Sequence, residues 1–325
     1  MKLARREFLR LAACAPGIPL ISGMARAQRY PAGPVRIIVG FPAGGPVDLA
    51  ARIIAPWLSE RLGQPCAVEN ISGESGNLAT RTVVQAPPDG RTLLLCGPVN
   101  TINSTMFQNL DFDFTQDIAP VASICRVPLI VEVHPAVAAR TVPEFLAFAK
   151  THPGRLQVAY AGRGTPQHIG IELFKMMAGV DVTLIPYLGS TPALADLLSG
   201  RVHVMFDPMP SSIALVKSGR LIPLAVTSPS RSEALPDVPA MSDYVPGYEA
   251  GSWFGLGAPK NTPRAVIDRI NGEVNAALSD AGIRARLAEL GATAIPGSAS
   301  DFGIFIATET ERFANVIRKL KITAR

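Results

Sequence analysis

Three turns that open helices carry the polar residues best suited to binding a small anion. Gly45-Pro46 precedes Asp48, Thr165-Pro166 precedes His168, and Thr191-Pro192 follows PYLGS. A threonine hydroxyl caps free N–H groups, and proline suits the first helical position because it needs no donor there. Such helix starts gather N–H groups and the positive end of the helix dipole, which favours a carboxylate or a phosphate.

A single start of this kind is usually plain capping, since Thr262-Pro263 has the same pattern in a segment expected on the outside. Three of them at the carboxyl ends of strands favour a ligand site, because open α/β sheets bind ligands there. The stretch GFPAGGPVD lacks the lysine and spacing of a phosphate loop. Its glycines are better explained as letting the backbone approach a carboxylate closely.

Two acids near these turns each allow two interpretations. Asp48 is either a first-turn acid, worth about 1 kcal/mol or less, or it fixes the glycine loop by accepting its N–H groups. Asp207, at the end of VHVMFD, either receives a ligand ammonium or hydroxyl, or simply ends a strand before Pro208. The residues leave both questions open.

Motifs of common catalytic and metal sites are missing from the sequence. It contains no GxSxG, GxxxxGK[ST] or HExxH, no CxxC pair and no GxGxxG after a strand. The four histidines are not at metal-ligand spacing. We therefore expect no metal and no cofactor, and a secreted α/β enzyme acting on a carboxylate or phosphate ester is the less favoured alternative.

Charge and length argue against a nucleic-acid or membrane-spanning protein. The formal net charge is +5, but residues 1–27 hold five basic side chains and one acid, which leaves about +1 for residues 28–325. A nucleic-acid binder needs a basic face, and none is evident. No apolar run approaches the ~20 residues of a membrane span. A chain of 325 residues can bury the core of two domains.

The N-terminus has the composition of an export signal, with Ala25-Arg26-Ala27 as the cleavage site. ARREFLR (4–10) suits a twin-arginine signal or an arginine-rich Sec signal equally well, and either predicts a periplasmic protein. A lipoprotein box ending at Cys14 is disfavoured because the apolar segment before it is short. Of the remaining cysteines, Cys66, Cys96 and Cys125 are either buried free thiols or one disulfide plus one free thiol.

Short apolar runs alternate with amphipathic segments, the pattern of an α/β protein with mainly parallel sheets. VRIIVGF (35–41) predicts a strand, followed by a helix that ends at Gly63, and CGPVNTIN (96–103) is taken as a loop. Further strands are predicted at PCAVEN, RTLLLCG, PLIVEV (128–133), LQVAYAG, DVTLIPY, RVHVMFD and LIPLAVT, and helices near SGNLATR and at 141–154, 166–178, 192–199, 211–218, 263–280 and 299–320.

The chain is expected to leave the first domain near 128–133 and to return near 252–258. Two crossings suit a hinge that lets two lobes close on a ligand. We therefore predict an export signal at 1–27, lobe 1 at 28–130 plus 252–325, and lobe 2 at 131–251.

Eight ordered segments together resemble the periplasmic receptors of tripartite tricarboxylate transporters, often called Bug proteins. The resemblance covers nearly the whole mature chain. It is carried by YPAGPVRIIVGFPAGGPVD, ERLGQPCAVENISGESGN, PPDGRTLLL, AGRGTPQHIGIELFK, VTLIPYLGSTPALADLLSGRVHVMFD, LAVTSPSRSEALPDVPAMSD, VPGYEAGSWFGLGAPKNTP and RLAELGA.

The resemblance implies a two-lobed type II periplasmic binding protein of the Venus-flytrap kind. It implies a monomer that holds a small organic acid between its lobes and serves integral membrane transporter subunits; a ligand sensor for a signalling partner is a weaker alternative. By resemblance, loops 41–48 and 162–168 hold carboxylate oxygens through backbone N–H groups and ordered water. The candidate ligand-binding residues are Phe41, Ala43, Gly44, Gly45, Asp48, Asn100, Gly162, Gly164, Thr165, His168, Tyr187, Thr191 and Asp207.

Three departures from the family pattern bear on the ligand. Leu188 stands where a Lys or Arg is common, Glu74 and Ser75 replace small residues, and Pro98-Val99 reduce the donors of a Ser/Thr-rich loop. We therefore infer a less charged ligand than citrate, a monocarboxylate or an aromatic acid.

Overall fold

The structure, a computed structural model, describes residues 30–107 and 109–322, so the predicted export signal lies outside the described residues. Among the residues described, no helix has both the length and the apolar character that a membrane crossing requires. The strands are β1 (Val35–Val39), β2 (Cys66–Asn70), β3 (Thr92–Cys96), β4 (Ile118–Val133), β5 (Gln157–Tyr160), β6 (Thr183–Pro186), β7 (Val204–Pro208), β8 (Ile222–Val226), β9 (Gly251–Pro259) and β10 (Thr293–Ala294).

Helices follow most of the strands. They are α1 (Pro46–Leu62), α2 (Asn77–Val84), α3 (Pro98–Met106), α4 (Phe114–Asp117), α5 (Val142–Thr151), α6 (Pro166–Ala178), α7 (Ser190–Leu198), α8 (Met209–Lys217), α9 (Arg264–Ser279), α10 (Ala281–Glu289) and α11 (Ala299–Leu320). Short 3₁₀ turns lie at Glu74–Gly76 and Met241–Asp243.

One 10-stranded mixed sheet runs through the molecule in the order β2-β1-β3-β9-β4-β7-β5-β6, with β8 and β10 paired to β4. Strands β2, β1 and β3 are parallel, as are β6, β5 and β7. Strand β4 joins the two sets: it pairs with β9 from Ile118 to Pro128 and with β7 from Leu129 to Val133. We call the part with β1, β2, β3, β9 and β10 the first half-sheet, and the part with β5 to β8 the second half-sheet.

The change of partner along β4 and the start of β9 lie close to the predicted lobe boundaries, which stay a prediction. Helix α9 packs in the core of the first half-sheet. Helix α11 contacts both sides, because Phe313 and Ile317 pack with Ile102 of α3 and Ile169 of α6. Helix α11 therefore does not belong to the first half-sheet alone, whereas α9 does.

Helix α1 shows how local sequence sets the bounds of an element. It begins at Pro46, whose missing N–H is harmless at the first helical position. It ends where Gly63 adopts the left-handed conformation (φ 68°) and donates its N–H to the Ser59 carbonyl. Ile54 and Leu58 of its inner face are completely buried. Both ends agree with the prediction.

Several elements differ from the sequence prediction. Residues 98–106, taken partly as a loop, form α3, which repeats after Gly97 the glycine-proline start of α1. The strand predicted at 128–133 is only the end of the 16-residue β4, whose internal prolines are unusual in a strand. Helix α7 begins at Ser190, so Thr191 lies inside it and is not its cap. Helices α4 and α10 and strands β9 and β10 were not predicted.

Candidate functional site

Four helix N-termini meet at a small cavity between the two half-sheets. Its volume is about 50 Å³, and its walls include Gly45–Val47 of α1, Gly97–Asn100 of α3, Thr165–Gln167 of α6 and Ser190 of α7. The first N–H groups of a helix have no partner within that helix. Such N–H groups and the positive ends of the helix dipoles favour a bound anion.

No charged side chain is among the described residues that line this cavity. The rest of its wall consists of Gly40, Phe41, Pro42, Gly76, Leu94, Leu95, Ala161, Pro208, Ser252 and Phe254. An anion in this space would meet neutral donors only, with no buried cation to desolvate. The size suits a carboxylate group with ordered water rather than a whole metabolite.

A wider cleft of about 1320 Å³ adjoins the cavity and shares Gly40, Phe41, Gly76 and Ala161 with its wall. Charged residues do line this cleft, namely Glu74, Arg81 and Arg163. Arg81 pairs with Glu74 at 3.1 Å and with Asp111 at 2.8 Å. One guanidinium is thus shared by two carboxylates, so it offsets the negative charge of Glu74 only in part.

Asp48 holds the glycine loop in place. Its side chain is 1% exposed, and its carboxylate accepts from the Gly44 amide at 2.9 Å, from Arg52 Nε at 2.8 Å and from Asn70 Nδ2 at 3.0 Å. Burial raises the pKa of Asp48, but these hydrogen bonds outweigh it and hold the pKa below its ordinary value. Of its two interpretations, the structure supports loop fixing, and Asp48 does not line the cavity.

One hydrogen bond joins the glycine loop to the opposite half-sheet. Thr191 Oγ1 donates to the Ala43 carbonyl over 3.3 Å. The neighbouring Gly44 has φ 80°, a conformation that side chains rarely adopt. Ala43, Gly44 and Thr191 do not line the cavity themselves. Their contact joins the loop before α1 to helix α7, and the neighbouring residues Gly45 and Ser190 do line it.

Thr165 caps α6 as predicted, accepting from the His168 amide at 3.4 Å and donating to the Gly162 carbonyl at 2.7 Å. The His168 ring stacks on Tyr160 with centroids 5.1 Å apart. Burial, followed by the charges of nearby Arg163 and Lys175, lowers the pKa of His168 to about 4. At neutral pH this ring is uncharged and supplies no cation to a ligand.

Two other candidates have their polar atoms engaged by the protein. Asn100 donates from Nδ2 to Thr80 Oγ1 at 2.9 Å and accepts the Gly97 amide at 2.9 Å, so it shapes the cavity wall. The Tyr187 hydroxyl donates to Asp196 at 2.8 Å at the wider cleft.

Asp207 is completely buried behind the cavity. Its carboxylate accepts hydrogen bonds from Ser190, Ser211 and Ser212, and Gln167 Nε2 lies 3.5 Å away. Because its oxygens are surrounded by protein donors, it has no direct access to a ligand. Two of its neighbours, Ser190 and Gln167, do line the cavity.

The structure thus sorts the thirteen candidates into three groups. Phe41, Gly45, Asn100 and Thr165 line the cavity, and Phe41, Gly162 and Tyr187 line the wider cleft. Outside both walls lie Ala43, Gly44, Asp48, Gly164, His168, Thr191 and Asp207.

Sequence reasoning missed several wall residues. Gln167 and Ser190 stand beside the predicted helix starts and could have been included on that basis. Ser252 has no local signal, since the pairing of β9 places it there. Glu74 and Ser75 have φ 50° and 54°, a strained conformation common at functional sites and invisible in the sequence.

The three cysteines among the described residues are free thiols. Cys96 and Cys125 are buried and Cys66 is half-buried. Burial raises the pKa of all three thiols, so they are unreactive at neutral pH.

Asp207 is expected to stabilise the folded protein more at pH 5 than at pH 7. Burial raises the pKa of Asp207 to about 6, although its hydrogen bonds oppose the shift. Such a carboxyl binds more protons in the folded than in the unfolded state, so stability is lost as the pH rises through that pKa. The contribution of Asp207 changes by about 1 kcal/mol over this interval, equal to about 2 °C in melting temperature, and it appears as the difference between the pH responses of wild type and Asp207→Asn. Calorimetry on wild type and Asp207→Asn checks this; equal pH responses would contradict it.

The family model described as the tripartite tricarboxylate transporter family receptor, TctC, matches residues 50–322. The chain belongs to this receptor family. BugT of Bordetella pertussis is 34% identical over 303 residues, which cover 92% of this chain and 93% of that protein. The predicted family is therefore confirmed.

Solved structures of this receptor type share the whole fold. An R. palustris protein solved with adipate has a TM-score of 0.88 and 36% identity, covering 90% of this chain and 99% of that one. MatC from Rhodopseudomonas palustris, solved with bound malate, has a TM-score of 0.84 and 30% identity, covering 89% and 100%. They confirm the predicted α/β periplasmic-binding-protein fold. The TctC family consists of periplasmic solute-binding receptors and not of enzymes.

Proposed function

We propose that this TctC-family protein is a periplasmic receptor that captures a small organic carboxylate between its two half-sheets. It then delivers the ligand to integral membrane subunits of a tripartite tricarboxylate-type transporter. The observation that carries the proposal is the convergence of four helix N-termini on a cavity with no charged wall residue.

The two related structures hold adipate and malate, which are both small dicarboxylates. In this chain one carboxylate would occupy the cavity of about 50 Å³, and the rest of the ligand would extend into the cleft of about 1320 Å³. Backbone N–H groups recognise any carboxylate, so the wider cleft would select the ligand by shape and by its charged rim. The chain would act as a monomer, with residues 1–27 directing its export.

A thermal-shift screen of the mature chain tests the proposal. We expect at least one ligand less charged than citrate to raise the melting temperature more than citrate does. The ligands to screen are adipate, malate, a monocarboxylate and an aromatic acid. A ligand present at 100 times its dissociation constant adds about 2.7 kcal/mol of stability. Sulfate at equal ionic strength serves as the control for a general anion effect. No shift with any carboxylate, together with turnover of an ester or a phosphate, would overturn the receptor function.

A further inference from the structure

Two buried carboxyl groups lie side by side behind the cavity. Asp207 on β7 pairs with Ile130 of β4, and Glu132, two residues along β4, lies on the same face of the sheet. Both side chains are completely buried. Ser212 Oγ joins them, at 2.6 Å from Glu132 Oε1 and 3.0 Å from Asp207 Oδ2.

Their surroundings assign the two groups different protonation states. Asp207 is surrounded by the donors of Ser190, Ser211, Ser212 and Gln167, which stabilise an ionised carboxylate. Glu132 has Oε2 buried without a partner, which disfavours its charged form. Burial first and the charge of Asp207 second raise the pKa of Glu132 well above its ordinary value. At neutral pH Glu132 is therefore the protonated member of the pair.

Within the part of the chain that the structure describes, the other elements packed around the pair place no cationic group at hydrogen-bond or ion-pair distance from either carboxyl group. Helices α6, α7 and α8 present the neutral side chains of Gln167, Ser190, Ser211 and Ser212. The titratable groups of these helices are engaged elsewhere or lie in their last turns. The uncharged His168 ring stacks on Tyr160, and Lys175 pairs with Glu172 and Asp181. Asp196 pairs with Arg201, and Lys217 ends α8. Strand β8 carries no titratable residue.

Ser190 connects Asp207 to the ligand cavity. Its hydroxyl has one proton, and in the present arrangement that proton goes to Asp207 Oδ1. Towards the cavity Ser190 can then offer only an acceptor, which opposes a carboxylate. If Asp207 is protonated, its O–H donates to Ser190 Oγ, and the serine proton becomes free to bind the ligand.

Building on the proposed function, we propose that Asp207 is a positioning residue that takes up a proton from solvent when a carboxylate enters the cavity. The proton forms an O–H bond on the Asp207 carboxylate, and Ser190 turns from acceptor to donor. An anionic ligand near the carboxylate favours the protonated form, so affinity is greater at lower pH. Gln167 also contacts Asp207 and lines the cavity, and its side-chain amide reorients in the same step.

Isothermal titration of the mature chain with malate and with adipate at pH 7, in two buffers of different ionisation enthalpy, measures the protons taken up. Both probes are fully ionised at this pH. If the ligand raises the pKa of Asp207 by one unit, we expect uptake of about 0.4 proton and about threefold weaker binding at pH 8.5 than at pH 6.5.

Three variants separate this role from a structural one. Asp207→Asn keeps the shape with a permanently neutral side chain, and should bind with no proton uptake and no pH dependence from pH 6.5 to 8.5. Ser190→Ala should weaken binding and lose the uptake. Ser211→Ala is the matched control, since it contacts the same carboxylate outside the cavity wall and should retain the uptake.

Wild-type binding without proton uptake, or uptake retained in both Asp207→Asn and Ser190→Ala, would overturn this inference and leave the receptor function standing. Failure of the wild type to bind any carboxylate at any pH would overturn the proposed function, and this inference with it. If Asp207→Asn does not fold, the two serine variants decide. Loss of proton uptake in Ser190→Ala but not in Ser211→Ala would support the inference, and equal uptake in both would overturn it.

Discussion

Replacing Gly45 with leucine is expected to weaken carboxylate binding more than 100-fold while the protein stays folded. Gly45 lies in the cavity wall at the start of α1, with φ −77° and ψ 168°, values that any residue adopts. The backbone therefore tolerates a side chain. The cavity of about 50 Å³ does not, because four added carbon atoms would occupy the space of the carboxylate. A 100-fold loss corresponds to about 2.7 kcal/mol of binding free energy.

Titration calorimetry with malate measures the affinity of Gly45→Leu, and far-ultraviolet circular dichroism checks its fold. Gly45→Ala should give an intermediate loss, since an added Cβ would lie 3.3 Å from the Pro42 carbonyl oxygen. Gly272→Leu on the exposed face of α9 is the matched control, because no atom lies within 4 Å of an added Cβ there. Unchanged affinity in Gly45→Leu would remove the loop from the ligand site.

Asp48→Ala is expected to lower the free energy of unfolding by about 2–4 kcal/mol and to weaken ligand binding at least tenfold. The substitution removes the common acceptor of Gly44, Arg52 and Asn70 from a buried position. Arg52 is half exposed, so its guanidinium can be solvated by water once Asp48 is gone. The loss of unfolding free energy is therefore at the lower end of the range for a broken buried ion pair. Without its anchor the glycine loop would no longer hold its N–H groups in place for a ligand.

Urea denaturation at pH 7 measures the stability of Asp48→Ala, and calorimetry its affinity. Since the pKa of Asp48 is lowered in the folded state, its contribution is complete above about pH 4 and is lost as the pH falls further. The difference between wild type and Asp48→Ala should accordingly narrow in acid. Arg52→Ala is the matched control: it removes only the half-exposed partner and should have the smaller effect. Stability and affinity equal to wild type in Asp48→Ala would contradict the loop-fixing role.

The starts and ends of helices were the best predicted features. Thr165 caps α6 and Gly63 ends α1 as expected, because a cap depends on residues within one turn of each other. Thr191 shows the limit of this reasoning. It has the same threonine-proline pattern, which predicts a helix beginning at Pro192, yet α7 begins two residues earlier, at Ser190. The Thr191 hydroxyl instead contacts Ala43 on the other half-sheet.

Helix α3 was also missed because tertiary contacts, which the local sequence does not reveal, stabilise it. Its residues PVNTINSTM include β-branched residues and asparagines, which favour helices weakly in isolation. Packing of Ile102 and Met106 against α11 and α6 stabilises the helix in the folded protein. Its N-terminus is one wall of the cavity, so this local error concealed part of the site.

By itself, the sequence determined the family, the α/β fold and the helix starts that could bind an anion, because these depend on local patterns and on ordered motifs. Only the tertiary structure decided which of those starts share one cavity, and that Asp48 anchors a loop while Asp207 lies behind the wall. The physical reason is that β4 and β9 bring together residues far apart in the chain. Glu132 and Asp207, or Ser190 and Gly45, acquire their roles only through those long-range pairings.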